Sequence, residues 1–182
     1  MKIIKLDLEG AMIIEPDVFT DDRGYFMETW RNDLFAAAGA DLPFVQDNQS
    51  SSGQGVLRGL HYQIKQPQGK LVRVFAGRVF DVAVDLRRSS PTFGRWAGAE
   101  LSDANRRTIW VPPGFAHGFY VLSEQAEFVY KCTDYYSRED ERVIRFDDAD
   151  IGIDWPLIDG APTIMSDKDL GGATLAQADL YD

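Results

Sequence analysis

The chain has 182 residues, of which 45% are hydrophobic, a length and composition typical of one compact domain covering residues 1–182. Its 19 basic and 29 acidic side chains give a formal net charge of −10, which disfavours binding to nucleic acid or to anionic membranes because the overall field repels both. The single cysteine, Cys132, excludes an internal disulfide and fits a reducing compartment. Since Asp7 and Glu9 interrupt any apolar stretch of signal-peptide length, we expect a cytoplasmic protein without a membrane span.

The first third of the chain predicts two short strands and one helix. Strands are expected over 13–18 and 25–30, with the turn residues Asp21 to Gly24 between them. Asn32 or Asp33 is then placed to cap a helix that runs to Gly39.

The rest of the chain is dominated by strand patterns. The clearest is the period of two from Phe80 to Arg87, and Gly77 before it predicts a hairpin over 70–87. Further strands are expected over 56–63, 96–101, 108–111, 117–122 and 127–135, and a short helix after Ser166. Many short strands and few helices favour an antiparallel sandwich or barrel.

Several common sites have no counterpart in the sequence. No G-x-G-x-x-G or G-x-x-x-x-G-K-[ST] motif supports nucleotide binding of the Rossmann or P-loop kind, and no G-x-S-x-G nucleophile elbow is present. The lone Cys132 lies inside an expected strand and is best interpreted as a small core residue.

The two histidines belong to an incomplete metal pattern. Residues 112–117 match the P-x-G-x-x-H half of a cupin metal motif, but the earlier H-x-H half is replaced by His61-Tyr62-Gln63. A stable zinc, iron or manganese site normally needs at least three protein ligands. We therefore expect no catalytic metal, while the motif itself favours the barrel.

A polar set nevertheless lies within the apolar strands. Its members are Arg58, His61, Gln63, Lys70, His117 and Tyr130. Histidine can remove a proton next to a carbonyl, lysine or arginine can stabilise the oxyanion, and tyrosine can return a proton, which is the equipment of an epimerase that needs no cofactor. Each residue also has an ordinary interpretation: a hydrogen-bonded structural histidine, a core tyrosine, a solvated lysine.

Nine segments, in this order, resemble the dTDP-4-dehydrorhamnose 3,5-epimerase family. They are 21–30, 44–52, 56–63, 68–74, 77–87, 111–123, 130–136, 151–156 and 165–169. The resemblance implies an all-β, metal-free cupin, a double-stranded β-helix or jelly-roll barrel with a few short helices, which dimerises by sharing strands. It implies no cofactor.

The resemblance also implies a substrate and catalytic roles. The substrate would be dTDP-4-dehydro-6-deoxy-D-glucose, inverted at C3 and C5 of the sugar. His61 would be the base, oriented by Asp169. Lys70 would stabilise the enolate, and Tyr130 would protonate from the other face.

Binding residues follow from the same resemblance. Contacts with the substrate would come from Arg58, His117 and a loop containing Gln46, Asp47 and Asn48. Arg23 and Glu28 would reach the neighbouring subunit's ligand, Arg23 towards phosphate. Tyr136 would stack on thymine, and Glu141 and Lys168 would be further binding positions.

Three alternatives stay open at this point. A related enzyme could invert only one carbon of another dTDP-deoxysugar. A cupin of this kind could bind nucleotide sugars without catalysis. A metal-dependent cupin oxygenase is the third alternative.

Overall fold

The computed structural model describes residues 1–182 as an antiparallel β structure with two short helices. Eleven strands form two facing sheets, and two more form a separate hairpin. The elements are β1 (Lys2–Lys5), β2 (Met12–Glu15), β3 (Val18–Asp21), β4 (Gly24–Met27), α1 (Asn32–Ala37), β5 (Gln46–Gly53), β6 (Leu57–Gln63), β7 (Lys70–Ala76), β8 (Arg78–Asp85), β9 (Trp96–Ser102), β10 (Thr108–Val111), β11 (Phe115–Val121), β12 (Gln125–Cys132), β13 (Glu141–Val143) and α2 (Asp167–Leu170). The expected all-β class is confirmed, and no helix of the chain has the length and apolar character needed to cross a bilayer.

The two facing sheets exchange strands along the chain. The six-stranded sheet has the order β1-β2-β10-β7-β12-β5, and the five-stranded sheet has the order β13-β6-β11-β8-β9. Consecutive strands such as β7 and β8, or β11 and β12, therefore lie in opposite sheets. This arrangement encloses an interior between the sheets, into which every second residue of each strand points.

The expected hairpin over 70–87 is wrong, although both of its strands exist. β7 pairs with β10 and β12, whereas β8 pairs with β11 and β9. Gly77 is a corner between the sheets, with a φ of +82°, and an added Cβ there would lie 2.1 Å from the carbonyl oxygen of Gln125. Alternation and a turn residue predict strands, but they do not identify a strand's partner.

Other predicted strands differ from the observed ones at their ends, and three observed strands were not predicted. The segment expected as one strand over 13–18 is divided between β2 and β3 at Pro16, which has no N–H to donate to a ladder. The strand expected over 25–30 ends at Met27, and β1, β5 and β13 were not predicted. β5 has the polar sequence QDNQSSSG and is an edge strand of its sheet, so it lacks the apolar alternation that marks a strand.

The N-cap of the helix at 32–37 lies one position before the first of its two expected cap residues, Asn32. Arg31 occupies the cap position without a side-chain capping bond, and Asn32 is already the first helical residue. The helix ends before Gly39, whose φ is +96°. The short helix expected after Ser166 is confirmed as α2, with the Ser166 hydroxyl accepting from the Asp169 N–H.

Three hydrophobic clusters hold the layers together. One fills much of the space between the sheets, one lies behind the five-stranded sheet under the C-terminal segment, and one lies behind the six-stranded sheet under α1. The interior is not apolar throughout, because Lys70, Asp81 and His117 are also buried there. Buried ionisable groups of this kind are rare unless they are paired or serve a site.

Candidate active site

A bulge in β6 places Arg58 and His61 on one face although they are three residues apart. His61 is opposite His117 and Arg58 is opposite Phe119, so two residues of β6 occupy the space facing the single Gly118. Because His117 and Phe119 share a face of β11, their partners share the corresponding face of β6. An added Cβ on Gly118 would lie 2.7 Å from the Arg58 carbonyl oxygen, which explains the glycine.

His61 and Asp169 form the dyad that the resemblance implied. The Nε2 atom of His61 lies 2.5 Å from Oδ1 of Asp169, which is buried on α2. Since a carboxylate accepts, Nε2 carries the proton in the neutral ring and Nδ1 keeps a free lone pair. Nδ1 is the atom that can act as a base.

The pKa values of the dyad favour a neutral imidazole beside a carboxylate. Burial lowers the pKa of His61 below its ordinary 6.5, although Asp169 acts in the opposite direction. The nearby positive charge of Lys70 lowers the His61 pKa further. Burial acts to raise the pKa of Asp169, but the hydrogen bonds from His61 and Ser166 hold it below its usual value. Near neutral pH the dyad is therefore ready to accept a proton.

Lys70 is a buried cation without a protein partner. Only 9% of its surface is exposed, and its ammonium makes no hydrogen bond within the chain. Arg106 Nε is the one side-chain nitrogen or oxygen that is both shielded and unpaired, so the Lys70 Nζ atom, which has no hydrogen-bond partner, must keep some accessible surface. Burial lowers the Lys70 pKa. An ammonium held in this way is suited to an oxyanion.

Tyr130 and His61 approach the cavity from opposite sheets. Tyr130 lies on β12 and is opposite Val72 of β7, next to the pair formed by Lys70 and Cys132. Burial raises the pKa of Tyr130 to about 12, so its phenol keeps its proton at neutral pH. The cavity thus has a base on one wall and an acid on the other, with Lys70 on the acid's side.

A second histidine–carboxylate pair lies deeper between the sheets. The Nε2 atom of His117 lies 2.9 Å from Oδ2 and 3.0 Å from Oδ1 of the fully buried Asp81. Burial raises the Asp81 pKa. Asp81 has no predicted role, because the alternation around it indicates only a strand. The one available signal was that a buried histidine needs a partner.

Three predicted binding residues meet at the mouth of the cavity. Glu141 accepts from the Lys168 Nζ atom and from the Tyr136 hydroxyl, both at 3.0 Å. Burial acts to raise the pKa of Glu141, but these two hydrogen bonds keep it lowered. β13 pairs with β6 so that Val143 is opposite His61 and Glu141 is opposite Gln63. Glu141, which joins Tyr136 and Lys168, therefore lies on the strand that pairs with the strand of His61.

Gln46, Asp47 and Asn48 lie on a strand, not on the loop that was expected. Gln46 and Asn48 alternate onto the cavity face, where Asn48 is opposite Tyr130. Asp47 points to the outer face, and its carboxylate pairs with Lys131 at 2.9 Å. Within one chain the structure does not bring Asp47 into the cavity.

Arg23 and Glu28 also lie outside this chain's cavity. Both are exposed, at the β3–β4 turn and just after β4. Arg23 forms an ion pair with Asp21 at 2.5 Å, which raises the pKa of the guanidinium. If these residues contact a ligand, it must be one bound by another copy.

The metal-motif positions are engaged in hydrogen bonds. His61 and His117 each have a carboxylate partner, and the amide of Gln63 binds backbone groups of the 133–140 segment. No group of three or more His, Cys, Asp or Glu side chains is arranged to hold a metal ion. What these residues can do is remove and return protons beside a stabilised oxyanion.

The chain is similar to known proteins along nearly its whole length. A family profile described as dTDP-4-dehydrorhamnose 3,5-epimerase matches residues 5–177. A Pseudomonas aeruginosa protein of that name is 56% identical over 182 residues, covering 100% of this chain and 99% of its own length. A Neisseria gonorrhoeae protein of the same name is 58% identical over 98% of this chain, and this chain spans only 54% of that relative's length.

A solved structure has the same architecture. It is a dTDP-6-deoxy-D-glucose-3,5-epimerase from Legionella pneumophila in complex with dTDP-4-keto-L-rhamnose. The TM-score is 0.95 at 50% sequence identity, covering 99% of this chain and 97% of the other. Together with the sheet order, this similarity confirms the cupin-type barrel.

The unpaired Lys70 leads to a prediction about stability. The substitution Lys70→Met should raise the free energy of unfolding at pH 7 by about 0.5–2 kcal/mol. It replaces a buried cation without a partner by an apolar side chain of similar length, which removes the cost of burying the charge. Burial lowers the Lys70 pKa, so the unfolded chain holds this proton more strongly. The advantage of the variant should therefore be full below the lowered pKa and shrink as the pH rises towards 10.5.

Urea unfolding of both proteins at pH 7 and pH 10 measures this difference. Lys65→Met is the matched control, since Lys65 is exposed and should change stability by less than about 0.5 kcal/mol. A destabilised Lys70→Met protein would show that the ammonium is held by interactions the structure does not contain.

Proposed function

Since the chain belongs to the dTDP-4-dehydrorhamnose 3,5-epimerase family, we propose that its cavity performs that family's reaction with the residues described above. The protein is an isomerase that inverts C3 and C5 of dTDP-4-dehydro-6-deoxy-D-glucose and gives dTDP-4-dehydro-L-rhamnose. The observation that carries the residue assignment is the position of His61 and Tyr130 on opposite sheets, with the unpaired Lys70 beside Tyr130. Inversion requires removal of a proton from one face of the carbon and delivery of a different proton to the opposite face.

The first step is the removal of a proton next to the 4-keto group. Nδ1 of His61 takes the proton from C3 or C5, and the electron pair of the C–H bond forms a C=C bond while the carbonyl electrons move to O4. The Lys70 ammonium donates a hydrogen bond to the resulting enolate oxygen. Stabilisation of developing charge by a preorganised donor in a buried site is usually the largest contribution to such a reaction.

The second step returns a proton from the opposite face. The Tyr130 hydroxyl gives its proton to the same carbon, the enolate electrons return to the carbonyl, and the configuration is inverted. The imidazolium of His61 then loses its proton to solvent and the Tyr130 phenolate regains one. Repetition at the second carbon completes the reaction, and the proton balance closes without a redox partner.

The electrostatic state of each group supports its role. Burial lowers the His61 pKa, so the base is unprotonated at neutral pH. The Tyr130 pKa is raised to about 12, so the acid keeps its proton. Asp169 keeps the His61 ring in one tautomer and stabilises the imidazolium as it forms. Two groups whose pKa values are displaced in opposite directions are typical of an acid–base pair.

The nucleotide end of the substrate is proposed to lie at the mouth of the cavity, near Tyr136, Glu141 and Lys168. Arg58 and Lys168 supply positive charge for a diphosphate in a protein whose net charge is −10. Tyr136 has 52% of its surface exposed and is available to stack on the base. Gln46, Asn48 and His117 complete the contacts of the sugar, and Glu141 aligns Tyr136 and Lys168.

We further propose that two copies form a homodimer through the β3–β4 hairpin. Neither strand of the hairpin pairs with a strand of the two main sheets. Its residues Phe19 and Phe26 are 64% and 70% exposed. A groove of about 500 Å³ on the outer face of the six-stranded sheet includes Trp30, Leu71 and Phe75 in its lining. Exposed apolar surfaces of this kind mark protein contacts. A hairpin seated on the other copy would carry Arg23 and Glu28 towards that copy's ligand.

A cytoplasmic location is part of the proposal. Cys132 is the only cysteine and is free and buried, which suits a reducing compartment.

His61→Ala should abolish incorporation of deuterium from heavy water at both C3 and C5 of the substrate, because it removes the base, and the other histidine of that wall, His117, is buried against Asp81. Mass spectrometry and proton NMR of the product measure the label. In the wild-type enzyme the exchange rate should rise as the pH passes the lowered pKa of His61 and should be level by neutral pH.

Binding of dTDP, measured by calorimetry, is the control and should be largely unchanged in His61→Ala. Label at one carbon only in the wild-type product would instead identify a mono-epimerase. Binding without exchange at either carbon would identify a non-catalytic sugar-nucleotide protein, and exchange that requires added iron would identify a metal-dependent enzyme.

Tyr130→Phe should uncouple exchange from inversion. Without the hydroxyl, His61 can still remove and return a proton on its own face, so exchange should continue while epimer formation falls by about 10²–10⁴-fold. Parallel measurement of label and of epimer in one reaction gives the ratio. Equal loss of both processes would contradict the assignment of Tyr130 as the acid.

The dimer predicts complementation between two impaired variants. In a mixed dimer of Arg23→Ala and His61→Ala, one cavity has His61 of its own chain and Arg23 from the other. Refolding an equal mixture should therefore recover about a quarter of the wild-type rate, as half of the dimers are mixed and each has one intact site.

Light scattering should show twice the chain mass of 20.5 kDa for the wild type and a single chain for Phe26→Glu. Leu157→Glu, at a position 46% exposed and outside the hairpin and the groove, is the matched control and should remain dimeric. A wild-type monomer with full activity would refute the shared site.

A further inference from the structure

The segment that carries Tyr136 has its backbone held by three glutamine side chains from outside it. Gln68 Nε2 donates to the Asp134 carbonyl at 2.9 Å, and Gln46 Oε1 accepts from the Tyr136 N–H at 2.9 Å. Gln63 Nε2 donates to the Tyr135 carbonyl at 3.2 Å, and its Oε1 accepts from the Ser137 N–H at 2.7 Å. Four consecutive residues are thus fixed by side-chain amides, and we call these three glutamines the amide clamp.

Gln63 is the centre of the amide clamp. Its side chain is buried, with 4% of the residue exposed, and it binds the peptide groups on both sides of Tyr136. The remaining N–H of its amide donates to the Gln66 carbonyl at 2.9 Å, so both donors and the acceptor are used. A buried amide that is fully satisfied by backbone groups fixes their positions, because release of any of them leaves an unpaired polar group.

The strand beneath Gln63 is held independently of this amide. The Gln63 backbone carbonyl accepts from the Tyr181 hydroxyl, and the residue is opposite Glu141 in the β6–β13 ladder. Removal of the side-chain amide therefore leaves β6 and His61 in place and acts on the segment above it.

We propose that Gln63 is a positioning residue that sets the ring of Tyr136 for the nucleotide and thereby determines affinity at that end of the ligand. The inference rests on the proposed function. The Tyr136 ring is half exposed, and its one side-chain hydrogen bond is to Glu141. If the Tyr136 ring is already ordered before binding, less conformational entropy is lost when the ligand binds, and affinity is higher. Gln63 thus acts on affinity, while His61, Lys70 and Tyr130 act on the chemistry.

The test is a double-mutant cycle between Gln63 and Tyr136, read by calorimetric titration with dTDP alone. Tyr136→Ala should weaken dTDP by about tenfold, the usual contribution of one base–aromatic stack. Gln63→Met should weaken it by about threefold to tenfold in the wild-type background and by less than about twofold in the Tyr136→Ala background, because the two residues act through one ring. With the full substrate, KM should rise by a similar factor and kcat should stay within about twofold.

Gln68→Met removes only the outer bond of the amide clamp and should show a smaller loss in the same direction, which keeps the test decisive if Gln63→Met fails to fold. Gln54→Met is the matched control: its amide donates to the Leu122 carbonyl at 3.1 Å beyond the far end of β5, and dTDP affinity should not change.

Three results would each overturn the proposal. They are unchanged dTDP affinity in Gln63→Met, an equal loss of affinity in the wild-type and Tyr136→Ala backgrounds, and a fall in kcat without a change in KM. These results differ from a failure of the proposed function, in which the wild-type protein itself would neither bind dTDP nor epimerise the sugar.

Discussion

The structure depends on one costly arrangement: a lysine ammonium without a partner, enclosed between two β-sheets. Burial of such a charge opposes folding, and here it is offset by three apolar clusters that pack both faces of the sheets. The same burial lowers the pKa of both Lys70 and His61, and the positive charge of Lys70 disfavours protonation of His61 as well. The feature that costs stability is therefore the feature that keeps the base free and provides a binding position for an oxyanion.

The two-sheet architecture converts this arrangement into stereochemistry. β6 belongs to the five-stranded sheet and β12 to the six-stranded sheet, so His61 and Tyr130 approach a ligand between the sheets from opposite walls. The bulge opposite Gly118 then adds Arg58 to the wall that carries His61, which a regular strand would have turned away. Inversion of a carbon needs a base and an acid on opposite faces, and a sandwich with polar residues on both inner faces supplies them without movement of the chain.

Much of this was predictable from local sequence, and the reasons for the failures are physical. The apolar alternation identified β7 and β8, and the order of the matching segments identified the dyad of His61 and Asp169, although they lie 108 residues apart. Pairing between strands is set by long-range contacts, so the hairpin expected over 70–87 was wrong. The edge strand β5 has no apolar pattern, so Gln46 and Asn48 were assigned to a loop. Asp81 was missed because its partner His117 lies on another strand and local alternation does not show that contact.

The positions that hold a metal in other cupins show how one interior can serve a different chemistry. His61 and His117 each face a buried carboxylate, Asp169 and Asp81, which fixes one ring nitrogen of each histidine by a hydrogen bond. The position of the missing third histidine is Gln63, whose amide binds the segment that carries Tyr136 instead of facing an ion. A histidine that donates to a carboxylate through one nitrogen keeps a lone pair on the other, and that lone pair can accept a proton from carbon. The exchange of an ion for two carboxylates and an amide thus makes these positions suited to proton transfer and to holding the ligand's far end.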